Sequence, residues 1–155
     1  MTKFFVAGES RDSESRETTA VRNPATGEVV DTAPKGTVND IRRAIDAAAG
    51  ALKKWSGMAP AKRGAILLEA GRLVHQQEKE LASLLTREQG KPIRESILEI
   101  RRFVHTLDHY GGMAKSLRTA AVVLDNGRHG FVLRKPLGVC GAIVPWNFPV
   151  SLMGN

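Results

Sequence analysis

Apolar residues recur along this chain in two rhythms, and the switch between them marks its organisation. The first runs are short. Phe4-Phe5-Val6-Ala7 has the composition of a short strand, and Gly8-Glu9-Ser10 leads into Arg11 to Glu17, a polar run expected to be a surface loop. Thr18 to Arg22 and Glu28 to Ala33 are predicted to pair as a hairpin. Between them, Asn23-Pro24-Ala25-Thr26-Gly27 combines a proline that presets φ with a glycine that accepts positive φ. From Thr37 the steps become helical: Val38, Ile41, Ile45, Ala48, Leu52 and Trp55 fall on one stripe. Thr37 is the expected N-cap, Asp40 takes a capping-box-like place, and Gly57 and Pro60 end the helix.

A second helical region is predicted from Ala61 to Arg87, bent or broken near Gln76-Gln77-Glu78. Gly90 then provides a stop and Pro92 a new start. Ile93, Ile97, Ile100, Val104 and Leu107 place a third helix, ending at Gly111-Gly112. Three amphipathic stripes are expected to pack on one another and on a sheet edge. A stripe does not say whether it faces its own chain, so a helical partner-binding face stays open as an alternative. Asp125-Asn126-Gly127 separates Ala120–Leu124 from Gly130–Arg134, the pattern of a two-stranded ribbon. Leu137 to Val144 is small, apolar and partly β-branched, as in a strand covered on both faces. Pro145 and Pro149 bracket Trp146-Asn147-Phe148 and force a rigid turn, in which an Asn becomes a pre-aimed amide.

Pro145-Trp146-Asn147-Phe148-Pro149 after a Leu-Gly-Val-x-Gly-x-Ile segment resembles the signature of the NAD(P)-dependent aldehyde dehydrogenase superfamily. Asn23-Pro24-Ala25-Thr26-Gly27-Glu28 is similar to that family's N-terminal hairpin. Glu88-Gln89-Gly90-Lys91-Pro92 is similar to the break between its early helices, with Gln89 where Thr or Ser is commoner. The resemblance runs from about Val21 onward and implies an α/β fold: a β-hairpin, three amphipathic helices, an oligomerisation-type β-ribbon and the first strand of an incomplete dinucleotide-binding sheet. It implies one incomplete domain over 1–155, with strands and helices in 1–117, the ribbon in 118–135 and the start of the dinucleotide-binding part in 136–155. A lone first strand would lack parallel neighbours and leave its apolar faces uncovered.

The activity implied is oxidation of an aldehyde to a carboxylic acid with NAD or NADP, through a cysteine thiohemiacetal and thioester. Asn147 would donate to the oxyanion. Ile143, Val144, Pro145 and Trp146 would pass near the nicotinamide, largely through backbone atoms. The family's reactive cysteine, its water-activating acid and most of its cofactor site lie further along its sequence, so this stretch is expected to be inactive alone. The resemblance also implies a homo-oligomer for the complete protein. A non-catalytic assembly piece is the alternative from another class. For Asn147, satisfying backbone groups of its own turn is the alternative role, and for residues 143–146 it is a buried strand end.

Charge alters little in this picture. The chain has 155 residues with 23 Lys and Arg against 16 Asp and Glu, a net +7. Its basic pairs are interleaved with Asp46, Glu69 and Glu99, which suits a solvated helix surface better than a nucleic-acid face. Cys140, the single cysteine, excludes an intrachain disulfide and is expected to be an inert buried thiol within an apolar strand. His105 and His109 share a helix spacing without a third ligand or a neighbouring Glu, so no metal is expected. Glu88 is expected to serve only as a helix-end contact, and no glycine-rich phosphate loop is present. The apolar run after Met1 is too short for a signal peptide and no window suits a membrane span, so the expected location is cytoplasmic, with no membrane partner.

Overall fold

Two hairpins open the chain. The computed structural model describes residues 2–118 and 120–155; Met1 of the N-terminal run and Thr119 of the ribbon region lie outside them. Ala7 and Gly8 hold φ of 57° and 84°, reversing the chain within two residues, and Phe4–Val6 (β1) pairs antiparallel with Glu9–Arg11 (β2). The polar loop expected from Arg11 therefore begins only after that residue. Thr18–Arg22 (β3) pairs antiparallel with Val29–Pro34 (β4), with an irregularity between Val21 and Arg22. In the turn between them, Asn23 Oδ1 accepts the Ala25 N–H at 2.9 Å and the Gly27 N–H donates to Asn23 O at 2.7 Å.

Val38–Gly57 (α1) begins with the predicted capping box. The Asp40 N–H donates to Thr37 Oγ1 at 3.2 Å while the Thr37 N–H donates to Asp40 Oδ2 at 2.9 Å. Asp40 also receives the Ser13 hydroxyl at 2.9 Å and the Glu14 N–H at 3.2 Å, fastening the loop after β2 to the helix start. The Thr37 backbone donor above all, with Ser13 and Glu14 adding to it, pulls the Asp40 carboxyl down to about 2. The stripe of α1 does not enter a core. No residue of α1 is buried, and Val38, Ile41 and Ile45 are 66%, 61% and 51% exposed. Periodicity fixed the stripe's place on the helix, but covering it requires a facing element that the described residues do not supply.

The core lies among the other helices, Pro60–Gln76 (α2), Glu78–Gln89 (α3) and Ile93–Met113 (α4), where Ala82, Leu85 and Ile100 are buried. The break at Gln77 falls within the predicted polar run. Gly64 lies against Gly111, and Gly71 against Val104, Leu107 and Asp108, so α2 and α4 run antiparallel at glycine-allowed distance. A Cβ on Gly64 would meet the Gly111 carbonyl and lie 2.8 Å from Ala114 Cβ. Gly111 is thus an interior helix residue at a close crossing, and α4 continues to Met113 rather than stopping at the glycine pair. Gly90 does stop α3, with φ 77°, and packs against Pro24, whose Cγ would sit 2.5 Å from an added Cβ. The Asn-Pro turn of the second hairpin is thereby seated on the α3–α4 connection. Arg101 donates to Glu78 through Nε at 2.8 Å and Nη2 at 3.0 Å, tying α3 to α4 and lowering the Glu78 carboxyl below its ordinary value.

Ala120–Val123 (β5) and His129–Val132 (β6) form the predicted ribbon, with Val123 and Phe131 74% and 72% exposed. Residues 133–145 carry no strand hydrogen bonds. The segment read as a first sheet strand has no neighbour to pair with among the described residues, and Leu137 and Ile143 are 95% and 102% exposed, the uncovered faces expected of a lone strand. Cys140 is exposed rather than buried for the same reason. The chain closes with Pro149–Gly154 (α5) against α4, where a Cβ on Gly154 would lie 2.8 Å from the Phe103 ring.

Two expectations follow from this packing. Gly64→Ala should lower Tm by several degrees, because overpacking against Gly111 costs about 1–3 kcal/mol and outweighs a helix-propensity gain of about 1 kcal/mol. Gly50→Ala, in open space on α1, should leave Tm unchanged or raise it. Asp40 has a folded value below its unfolded one, so its contribution is complete above about pH 4 and fades as pH falls towards 2. The Glu14 and Thr37 amide resonances should titrate together in that window, and invariance down to pH 2 would contradict the bonding described.

Candidate functional site

The turn 145–149 is held from beneath by the α3–α4 connection. Gln89 Nε2 donates to the Trp146 carbonyl, and Lys91 Nζ donates to the Asn147 carbonyl at 2.7 Å. Lys91 also forms an ion pair with Glu99 Oε2 and sits 4.5 Å from the centroid of the Phe148 ring. Glu99, on the inner face of α4, is fully buried. Its other oxygen, Oε1, accepts the N–H groups of Val150 at 2.9 Å and Ser151 at 3.3 Å, the free donors of the first turn of α5. A carboxylate taken out of water is tolerable only with such partners, and here a cation and two amides supply them. Gln89 Oε1 is buried without a hydrogen-bond partner among the described residues.

Above the connection is an open cleft of about 720 Å³, lined by Glu88, Gln89, Lys91, Glu95, Trp146 and Asn147 among others. Asn147 is exposed, and its side-chain amide makes no hydrogen bond among the described residues; only its carbonyl is used, by Lys91. That disposition leaves an N–H pair free for a ligand oxygen. Trp146 shares the cleft and is 85% exposed. Ile143 and Pro145 are exposed, Val144 is half-buried, and none of the three lines the cleft.

Cys140 is also outside the cleft lining, its Sγ 3.8 Å from the Gly138 carbonyl. His105 and His109 lie on the exposed side of α4, with His109 edge-on to Tyr110. For a dinucleotide, the donor set is incomplete. The α5 amides that would suit a phosphate are taken by Glu99, whereas the exposed apolar surface of Ile143 and Trp146 suits a flat ring such as nicotinamide.

Sequence reasoning missed Glu99 and Lys91. By its sequence neighbours Glu99 reads as one more solvated helix charge, yet it stands between Ile97 and Ile100 and three residues after Ser96, on the buried side of the helix. A lone acid on an apolar stripe, eight residues from a lysine in a helix break, was the available signal. Glu88, expected only as a helix-end contact, also lines the cleft that Asn147 lines.

The profile described as Aldehyde dehydrogenase family matches residues 10–155. The chain is 40% identical over 153 residues to D-glyceraldehyde dehydrogenase (NADP(+)) of Picrophilus torridus, covering 97% of this chain and 31% of that protein. It is 36% identical over 157 residues to malonate-semialdehyde dehydrogenase of Bacillus pumilus, covering 98% of this chain and 32% of the relative. The crystal structure of NAD-dependent aldehyde dehydrogenase from Sinorhizobium meliloti superposes with a TM-score of 0.93 at 33% identity, over 99% of this chain and 31% of that one. The chain therefore spans about a third of the length of the relatives it matches. With the family model matching residues 10–155, which is most of its length, this chain belongs to the aldehyde dehydrogenase family.

Proposed function

We propose that the protein carrying this segment oxidises an aldehyde to a carboxylic acid with NAD or NADP, and that Asn147 donates to the oxygen of the reacting carbonyl. The observation that supports this most is the free amide of Asn147 at an open cleft, on a backbone that is already tied down. When a thiolate adds to an aldehyde, negative charge grows on the carbonyl oxygen. A neutral N–H donor fixed beforehand stabilises that charge without reorganising during the step. Trp146 shares the cleft, and Ile143, Val144 and Pro145 lead the chain into it; together they would line the nicotinamide side. The dinucleotide, when bound, supplies the hydride acceptor.

The nucleophile and the base that activates water are not assigned to any described residue. Cys140 lacks a place in the cleft, and its Sγ faces the Gly138 carbonyl. On this reading, residues 1–117 and 118–135 position and assemble, while 136–155 begin the cofactor-binding part. A second reading, a purely assembling segment, draws on one observation: the ribbon leaves Val123, Phe131 and Val132 exposed, as a surface awaiting another chain would. No helix among the described residues is long and apolar enough to cross a membrane.

In the complete protein, Asn147→Ala should reduce kcat for aldehyde oxidation by roughly 10²–10³ while leaving dinucleotide affinity within a few-fold. An unchanged kcat would remove Asn147 from the oxyanion role. The 155-residue chain alone, assayed for NAD- or NADP-dependent aldehyde oxidation, should show none. Turnover abolished by Cys140→Ser would return the nucleophile to this segment.

A further inference from the structure

We infer that Gln89, Lys91 and Glu99 act together as positioning residues for Asn147, holding its backbone so that its side-chain amide stays free and aimed into the cleft. This rests on the oxyanion reading for its catalytic meaning, but its structural content can be tested separately. Residues 146–151 are gripped at four backbone groups. Gln89 takes the Trp146 carbonyl, Lys91 takes the Asn147 carbonyl, and the two oxygens of Glu99 link Lys91 to the amides of Val150 and Ser151. Gln89 ends α3, Lys91 lies in the α3–α4 connection and Glu99 is on α4, and none bonds to the Asn147 amide itself.

The chemistry of each contact suits holding rather than reacting. Glu99 is fully buried and already saturated by a cation and two N–H groups, so it has no access to a substrate. Lys91 is 15% exposed and spends its ammonium on a carboxylate, a carbonyl and the Phe148 ring. The two prolines restrict their own φ, and the residues before them, but leave the peptide planes of Trp146 and Asn147 free to rotate. The clamp fixes those planes by holding their carbonyls. With those carbonyls released, the backbone on both sides of Asn147 Cα could shift and carry the side chain with it, and a donor displaced by about 1 Å loses much of its value to the transition state.

The test uses the 155-residue chain carrying Trp55→Phe, which leaves Trp146 as the only indole. Lys91→Met should raise the mobility of Trp146 and of the Asn147 side-chain amide, read by fluorescence anisotropy and ¹⁵N relaxation, with helical circular dichroism unchanged. It should also move the Val150 and Ser151 amide resonances, and Lys91→Arg should restore part of each signal. If Lys91→Met does not fold, Gln89→Ala, which leaves the buried ion pair intact, should still loosen Trp146. Wild-type mobility in a folded Lys91→Met chain, or in Gln89→Ala where Lys91→Met is lost, would overturn the clamp.

In the complete protein, Lys91→Met should lower kcat at least about tenfold with aldehyde KM changed less than about threefold. Added to Asn147→Ala, it should cost little more, because both changes remove the same donor. Unchanged mobility disproves the clamp whatever the kinetics. Increased mobility in Lys91→Met together with full activity in Asn147→Ala would instead disprove the oxyanion reading and leave the clamp standing.

Discussion

A buried carboxylate organises the functional end of this chain. Glu99 lies in the interior of α4 with one oxygen on the Lys91 ammonium and the other on the first amides of α5. Its position joins three pieces that are distant in sequence: the break after α3, the inner face of α4 and the turn before α5. Such a charge is expensive to bury and stable only while its partners stay in place; losing one partner of a buried pair costs roughly 3–5 kcal/mol. The carboxylate therefore favours one geometry over others as much as it adds stability, since any displacement of α5 would strand a charge in the interior.

The rest of the fold serves this arrangement by bringing helices close and keeping them there. The glycine contacts between α2 and α4 allow the antiparallel approach that sets the floor of the bundle. Gly90, held in the left-handed region and seated on Pro24, fixes the direction in which the chain leaves α3. That direction places Gln89 and Lys91 under the 146–147 peptides. The first hairpin and α1 form a separate rim through Ser13, Thr37 and Asp40, and they do not touch the cleft.

Exposure is unevenly distributed, and its pattern has a physical cause. Apolar faces of α1, of the β5–β6 ribbon and of residues 137–143 lie open, while burial of apolar side chains is confined to Ala82, Leu85 and Ile100 on α3 and α4 among the described residues. Elements whose partners are local in sequence found them. Those whose rhythm calls for a facing sheet or another surface did not, and the matched relatives are about three times as long as this chain.

Sequence alone determined the second hairpin, the helices, the ribbon and the proline-bracketed turn, because these depend on local chemistry: capping at Thr37, the stop at Gly90, the Asn-Gly turn of the ribbon, and φ fixed at Pro145 and Pro149. It also singled out Asn147 through a motif. What it left open was every fact that depends on which surfaces meet. The burial of Glu99, the exposure of the α1 stripe and of Cys140, and the joint hold of Gln89 and Lys91 on successive carbonyls were decided only by the tertiary structure. Periodicity gives the face of a helix on which a side chain lies; the identity of its neighbour is set by long-range packing, which a one-dimensional pattern does not contain.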